Sequence, residues 1–322
     1  MARSTSYTAV AVAAGECTHP PRPLRTSALP QSCPTSSGLV RTARVRQWTK
    51  NVLVFAAPLA AGRFDPWSLR MAAVSFIAFC CAASSIYFLN DILDAPSDRT
   101  HPAKRSRPIP AGALSLPVAW TVCALAAGLA LTAAAFTTGA ALTAVAAYLA
   151  LNVAYCVRLK HVAIVDLCLV SASFLLRAMT GGLATGLHLS QWFLLVSGFG
   201  ALFMVAGKRY SELVALGGDA PRSRRVCAAY TPSYLRFVWI IGAATALLSY
   251  NLWAFEVSAS AQTGVPWSLL SVIPFTAAVL GYAYHVDRGQ AEQPEDVVLG
   301  SSTMVMLALS WAALIALGAL HV

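Results

Sequence analysis

From residue 51 almost to the last residue, apolar stretches recur along this chain, separated by short polar segments. They predict helical spans near residues 51–62, 69–92, 114–135, 139–156, 162–184, 190–206, 233–257, 267–285 and 299–320. Crossing the hydrocarbon layer takes about 20 apolar residues in a helix, and most of these stretches reach that length. The first is shorter and reads as a tilted or partly buried segment. The pattern predicts an all-α polytopic membrane protein of about nine transmembrane helices. Ahead of it, residues 1–38 are rich in Pro, Ser, Thr and Arg, and the apolar run at 9–14 is too short for a signal-peptide core. That segment is expected to be a disordered tail, leaving residues 39–322 as a single transmembrane catalytic domain.

Composition sharpens this. Hydrophobic residues make up 57% of the chain and charged residues 11%, whereas a soluble domain carries about 25% charged residues. The net charge of +10 would suit nucleic acid, but the distribution of the cations argues otherwise. Arg99, Lys104, Arg105, Arg107, Arg158, Lys160, Lys208, Arg209, Arg222, Arg224, Arg225 and Arg288 fall in alternate loops, with Arg41, Arg44, Arg46 and Lys50 before the first span; the opposite side shows only Arg63 and Arg70. By the positive-inside rule the N-terminus is expected in the cytoplasm and, with nine spans, the C-terminus outside. No nucleic-acid partner is expected. The eight cysteines show no CxxC or metal spacing, so no disulfide framework is expected.

The candidate chemistry gathers at the loops read as cytoplasmic. The sharpest cluster is NDILDAPSDR at residues 90–99. Offsets of three and seven bring Asp91, Asp94 and Asp98 towards one helical face, beside Asn90. Three such carboxylates repel one another, are costly to desolvate near a bilayer, and oppose the dipole at a helix C-terminus. A divalent cation resolves these conflicts, and oxygen ligands in this number suit magnesium, which shares its shell with water and phosphate oxygens. Pro96 disfavours a helical Ala95, so Asp98 is expected beyond a break. The basic segment that follows (Arg99, Lys104, Arg105, Arg107) explains itself as a positive-inside loop; beside a metal–carboxylate group it also suits a phosphate clamp.

Three further centres share that side. Tyr155, Arg158 and Lys160 precede Asp166, which shares a helical stripe with Ser173 and Arg177. An arginine that far into a span marks a functional site by default, and a structural pairing with a buried acid is the other account. Lys208, Arg209, Tyr210 and Glu212 end the sixth span, where two cations and an acid could bind phosphate and sugar hydroxyls. Arg44, Arg46, Gln47, Trp48, Lys50 and Asn51 open the first span, either as an interfacial anchor belt or as part of the site. Asp91, Asp94 and Asp166 are the candidate catalytic acids, and Lys50, Asn51, Asn90, Arg99, Lys104, Arg105, Arg107, Tyr155, Arg158, Lys160, Arg177, Lys208, Arg209, Tyr210 and Glu212 are candidate substrate contacts.

NDxxDxxxD at residues 90–98, with Arg107-Pro108 after it, resembles the first aspartate-rich motif of the UbiA superfamily of intramembrane prenyltransferases; YxxxLK at 155–160 with Asp166 resembles its second polar motif. The resemblance implies helices around a central cavity open to the cytoplasm, Mg²⁺ as cofactor, and residence in the cell membrane. Within that superfamily, RxRQWxKN at 44–51 and GKRYxE at 207–212 look most like the decaprenyl-phosphate phosphoribosyltransferases. Those enzymes transfer 5-phosphoribose from phosphoribosyl pyrophosphate to a polyprenyl phosphate in arabinogalactan and lipoarabinomannan precursor synthesis. On that basis Asp91, Asp94 and Asp98 would hold Mg²⁺ on the pyrophosphate, with Lys104, Arg105 and Arg107 neutralising the leaving group. Lys208 and Arg209 would steady the 5-phosphate, and Tyr155, Lys160 and Asp166 would border either the acceptor or the ribose hydroxyls. Pro96 inside the first motif, a YxxxLK second motif in place of paired aspartates, and the uncharged GSST at 300–303 depart from the pattern. An ordinary prenyltransferase acting on an aromatic acceptor is the nearest alternative reading, and a transporter the distant one.

Overall fold

The computed structural model describes residues 35–102, 104–215, 229–260 and 264–320. The tail expected at 1–38 lies outside them up to residue 34, and Thr35 already begins a helix; the arginines at 222, 224 and 225 also lie outside. The described elements are helical throughout: α1 (Thr35–Ala43), a 3₁₀ segment (Val45–Phe55), α2 (Ala56–Ala60), α3 (Pro66–Thr100), α4 (Leu116–Ala135), α5 (Gly139–Val157), a 3₁₀ turn (Leu159–His161), α6 (Val165–Ala184), α7 (Gln191–Ala215), α8 (Pro232–Ser260), α9 (Trp267–Asp287), α10 (Pro294–Gly300) and α11 (Ser302–Ala319). Eight of these, α3 to α9 and α11, are long and apolar enough to cross a membrane.

The ninth expected span is not a helix of that kind. Residues 51–62 divide between the 3₁₀ segment and the five-residue α2. An eleven-residue 3₁₀ run is unusual, because its hydrogen bonds are poorly aligned and runs beyond three or four residues are uncommon. Tertiary contacts hold it. A Cβ built on Gly181 of α6 would lie 1.7 Å from the Val54 carbonyl oxygen, so only glycine admits this approach. Trp48 donates to Ser84 Oγ at 3.1 Å, and Ser84 donates to the Ala43 carbonyl at 3.1 Å, fastening the segment to α3.

The first long helix, α3, begins cleanly. Asp65 caps it by accepting from the Ser68 amide at 2.9 Å, and Pro66 takes the first-turn position where its missing N–H is harmless. The expected break at Pro96 does not occur, and α3 runs through it to Thr100 with Asp98 on the helix. Proline removes one intrahelical bond near the end of the helix, while Ser97 and Thr100 side chains bond back to the carbonyls of Asp94 and Ser97.

Besides a small cluster of Met71, Ala141 and Ala184, the buried core has two main parts. One joins α3, α4 and α5 to Val54, through Phe79, Phe88 and Tyr148. The other joins α6 to α9 through Phe203, Tyr210, Trp239 and Tyr282. Close approach is again needed in the second, where a Cβ on Gly242 of α8 would meet the Phe203 amide nitrogen of α7 at 2.9 Å. Because successive long helices alternate in direction, α3, α5, α7 and α9 end on the face where α4, α6, α8 and α11 begin. The clusters around Asp91, Asp166, Lys208 and Arg44 lie on that face, while Arg177 lies deeper in α6.

Candidate functional site

The acids at the end of α3 divide two ways. Asp91 and Asp98 are almost wholly buried, at 2% and 3% exposure. They share one guanidinium nitrogen: Arg107 Nη1 lies 3.2 Å from Asp91 Oδ1 and 2.7 Å from Asp98 Oδ2. Arg44 adds a 2.8 Å contact to Asp91, and Lys104 Nζ stands 4.0 Å from Asp98. Asp94 turns instead to Lys160, at 2.5 Å. Helical geometry explains the split, since seven residues bring a side chain back within about 20° whereas three leave it about 60° away. The single cluster of three acids expected from the spacing is therefore a converging pair with a flanking third. Among the described residues no group of three metal-ligating side chains lies close enough to hold an ion in this conformation. The donor set nevertheless fits a hard cation: two carboxylates already meet at one positively charged atom, and magnesium completes its shell with water and phosphate oxygens.

A second buried centre joins α5, α6 and α7. Asp166, in the first turn of α6 where the helix dipole favours an anion, accepts from Tyr155 Oη at 2.7 Å and from two nitrogens of Arg209 at 3.1 Å each. Arg209 also donates to Glu212 at 2.9 Å.

Two non-glycine residues with left-handed backbone flank these centres. Arg44 has φ +52 and Ile164 φ +68. A β-branched residue there is strained by about 1–3 kcal/mol, and such strain collects at functional sites. The Ile164 amide donates to Tyr230 Oη at 2.7 Å, which holds the turn that delivers Asp166. Burial raises the Tyr230 hydroxyl above the usual phenol range, so it stays protonated at neutral pH.

Arg177 lies apart. It is 6% exposed and bonds Asn51 Oδ1 at 2.9 Å, Tyr148 Oη at 2.8 Å and the Ser173 carbonyl at 3.0 Å. The Phe79, Tyr148 and Phe174 rings surround its guanidinium at 4.8–5.9 Å. Asn51 is thus a tether for the 3₁₀ segment. Other candidates are not drawn into the centres: Arg99, Arg105 and Arg158 are exposed, and Tyr210 faces α8, accepting from Arg236 at 2.8 Å. Asn90 lies beside Cys156, whose sulfur is 3.8 Å from Asn90 Oδ1.

A cavity of about 710 Å³ opens between the 3₁₀ segment, α6, α7, α8, α9, α10 and α11. Lys50, Lys208, Arg209 and Glu295 supply its charged lining. Glu295, at the start of α10, was not among the sequence candidates. It accepts from Gln47 at 3.2 Å and lies 3.6 Å from Lys50 Nζ. Burial would raise its carboxyl, but its own backbone amide, Lys50, the Gln47 bond and Lys208 outweigh that and hold it below the ordinary range. Burial lowers the Lys50 ammonium, with Lys208 and Arg177 adding to the effect and Glu295 opposing it. The sequence signal for Glu295 was an acid pair at a helix start, where the dipole alone accounts for acids.

Residues 52–311 match the UbiA prenyltransferase family. A decaprenyl-phosphate phosphoribosyltransferase from Corynebacterium glutamicum is 44% identical over 281 residues, covering 86% of this chain and 85% of that one. Its namesake from Mycobacterium tuberculosis is also 44% identical, covering 86% and 92%. Among solved structures, a UbiA homologue from Archaeoglobus fulgidus bound to GPP and Mg²⁺ superposes with a TM-score of 0.68 at 16% identity, over 87% of this chain and 98% of that one; at that identity the likeness speaks for the fold alone. By sequence and by architecture, the chain belongs to the UbiA prenyltransferase family.

Proposed function

We propose that this protein transfers 5-phosphoribose from phosphoribosyl pyrophosphate to a polyprenyl phosphate, with Mg²⁺ as cofactor, on the cytoplasmic face of the cell membrane. The relatives that share 44% of its sequence carry the name of that activity. The observation that carries the reading within the molecule is the paired Asp91 and Asp98 sharing Arg107, with Arg44 and Lys104 against the pair and Lys160 on the flanking Asp94. Such an arrangement of anions and cations suits a diphosphate bound through a metal.

Asp91 and Asp98, with Asp94 at their flank, would hold the Mg²⁺. Bound there, the ion would neutralise charge on the pyrophosphate leaving group. Arg44, Lys104 and Arg107 would donate to the leaving group as well, where negative charge grows as the C1–O bond of the ribose lengthens. Their present partners are carboxylates, so binding exchanges one anion for another. The acceptor phosphate is already ionised at neutral pH and attacks C1 from the opposite face, with inversion. No side chain is needed as a strong base. Asp166, fully engaged by Tyr155 and Arg209, acts as a positioning residue that fixes both against the ribose side of the pocket. The excess of cations on this face supports a cytoplasmic orientation.

The test is a transfer assay on membranes holding the protein, with labelled phosphoribosyl pyrophosphate, decaprenyl phosphate and Mg²⁺. Label should pass into a butanol-extractable lipid and should vanish with chelator and in the Asp91→Asn, Asp94→Asn double variant, while protein level is kept. Prenylation of an aromatic acceptor without that lipid product would overturn the reading.

A further inference from the structure

Resting on this reading, the cavity along α7 identifies where the lipid acceptor is held. Trp192, Val196, Gly200, Met204 and Lys208 line it at four-residue intervals, so it follows a slowly winding ridge of α7 for sixteen residues, about 24 Å at the helical rise. That is most of the depth of a bilayer's hydrocarbon core. All four charged lining residues stand at one end. Arg209 is committed to Asp166 and Glu212. Lys208 and Lys50 are not comparably held: their nearest acid contacts are 3.7 Å to Glu212 and 3.6 Å to Glu295, longer than the 2.7–2.9 Å of a well-formed charge-assisted bond.

Glu295 is equally under-used. Its Oε1 takes Gln47 and Lys50, while its Oε2 is buried and accepts no hydrogen bond from the described residues. A two-oxygen carboxylate thus sits against an amide and an ammonium group, with the Lys208 charge near enough to act on it, and a phosphate monoester offers three oxygens and more charge to these groups. We propose that Gln47, Lys50 and Lys208 form the seat of the polyprenyl phosphate headgroup, with its chain in the apolar cavity, and that Glu295 competes with the phosphate for that seat. An amphiphile matches this cavity, whereas phosphoribosyl pyrophosphate is polar throughout and belongs with the Asp91, Asp98 and Arg107 group. Lys208 is thereby assigned to the acceptor rather than to the donor's 5-phosphate. Seating the lipid requires the Glu295 carboxylate to swing out, carrying the start of the short α10 with it.

The experiment uses the full chain in nanodiscs and follows the fluorescence of Trp192, Trp253 and Trp311, which line the cavity. Decaprenyl phosphate, decaprenol (the same chain without the phosphate) and phosphoribosyl pyrophosphate are titrated separately. Decaprenyl phosphate should bind more tightly than decaprenol. Glu295→Gln and Glu295→Ala should each tighten decaprenyl phosphate about threefold to fivefold, the scale of one partly exposed charge contact. Lys50→Met with Lys208→Met should weaken it about tenfold or more. In turnover, these changes should appear in the KM for the lipid and leave the KM for phosphoribosyl pyrophosphate unmoved. Unchanged lipid affinity in both Glu295 variants, or a shift in the donor's KM instead, overturns the proposal. Because binding is read without turnover, tight phosphate-dependent lipid binding with no phosphoribosyl lipid formed would sink the transfer reading and leave the seat standing.

Discussion

Two arginines in this bundle are equally hidden and differently answered. Arg177 and Arg209 are each 6% exposed. Arg209, near the end of α7, lies between Asp166 and Glu212 at 2.9–3.1 Å. Arg177, well inside α6, has an amide, a phenol, a carbonyl and three ring faces around it, and none of the ion pairs found among the described residues includes it. A buried ion pair leaves an uncompensated charge when one member is removed, whereas a cation held by neutral dipoles leaves only neutral polar groups short of a partner, a smaller cost. The two sites therefore carry opposite risks. Arg209 holds a charge balance next to the chemistry; Arg177 holds a piece of backbone, the 3₁₀ segment tethered through Asn51.

The hardest test of that contrast is Arg209→Met. It strands Asp166, which is 1% exposed, and should lower stability by about 3–5 kcal/mol and abolish transfer, as read by thermal unfolding in nanodiscs and by lipid-linked label. Arg177→Met should lose less, about 1–3 kcal/mol, because Asn51 and Tyr148 remain neutral and can rearrange. Its distinguishing sign is local: amide exchange should quicken in residues 45–55 while α7 stays protected. Equal losses of stability in the two variants would end the distinction.

How far was this legible beforehand? Arg177 stood out because a charge that deep in an apolar stretch is conspicuous in one dimension. Its partners did not, since Asn51 is 126 residues away and reads as an interfacial amide. The eight long spans followed from hydropathy alone. The 3₁₀ segment did not, because its geometry comes from Gly181 and the Arg177–Asn51 bond rather than from its own sequence. Asp91 and Asp98 were found because seven residues nearly close two helical turns. Asp94 was grouped with them because an offset of three falls near the same helical face, and the fold gave it to Lys160. Glu295 was missed because only folding brings it 248 residues back to Gln47.

The Glu295–Lys50 pair falls between the extremes, being neither sealed in nor open to water, and its response to acid follows from its sign. The folded carboxyl titrates below its ordinary range, so its contribution is complete above the unfolded value and is lost as pH falls through the lower, folded one. Glu295→Gln should flatten the acid limb of the curve of Tm against pH by an amount worth less than about 1 kcal/mol. A limb unaltered by the substitution would mean that other carboxylates carry it.

The smallest effect is expected at one of the shortest contacts. Arg46 and Asp296 meet at 2.6 Å, closer than either Arg209–Asp166 contact, but their side chains are 75% and 50% exposed. Water and salt screen such a pair, and ordering two mobile side chains offsets most of the attraction. Arg46→Ala and Asp296→Ala should each change stability by less than about 0.5 kcal/mol, and a double-mutant cycle should give a coupling that fades at about 1 M salt. A coupling that rivals that of Arg209 with Asp166 would mean that separation, rather than burial, sets the worth of ion pairs on this face. The contrast between the two buried arginines would then lose its physical basis, because it assumes that what surrounds a charge matters more than how near its partner stands.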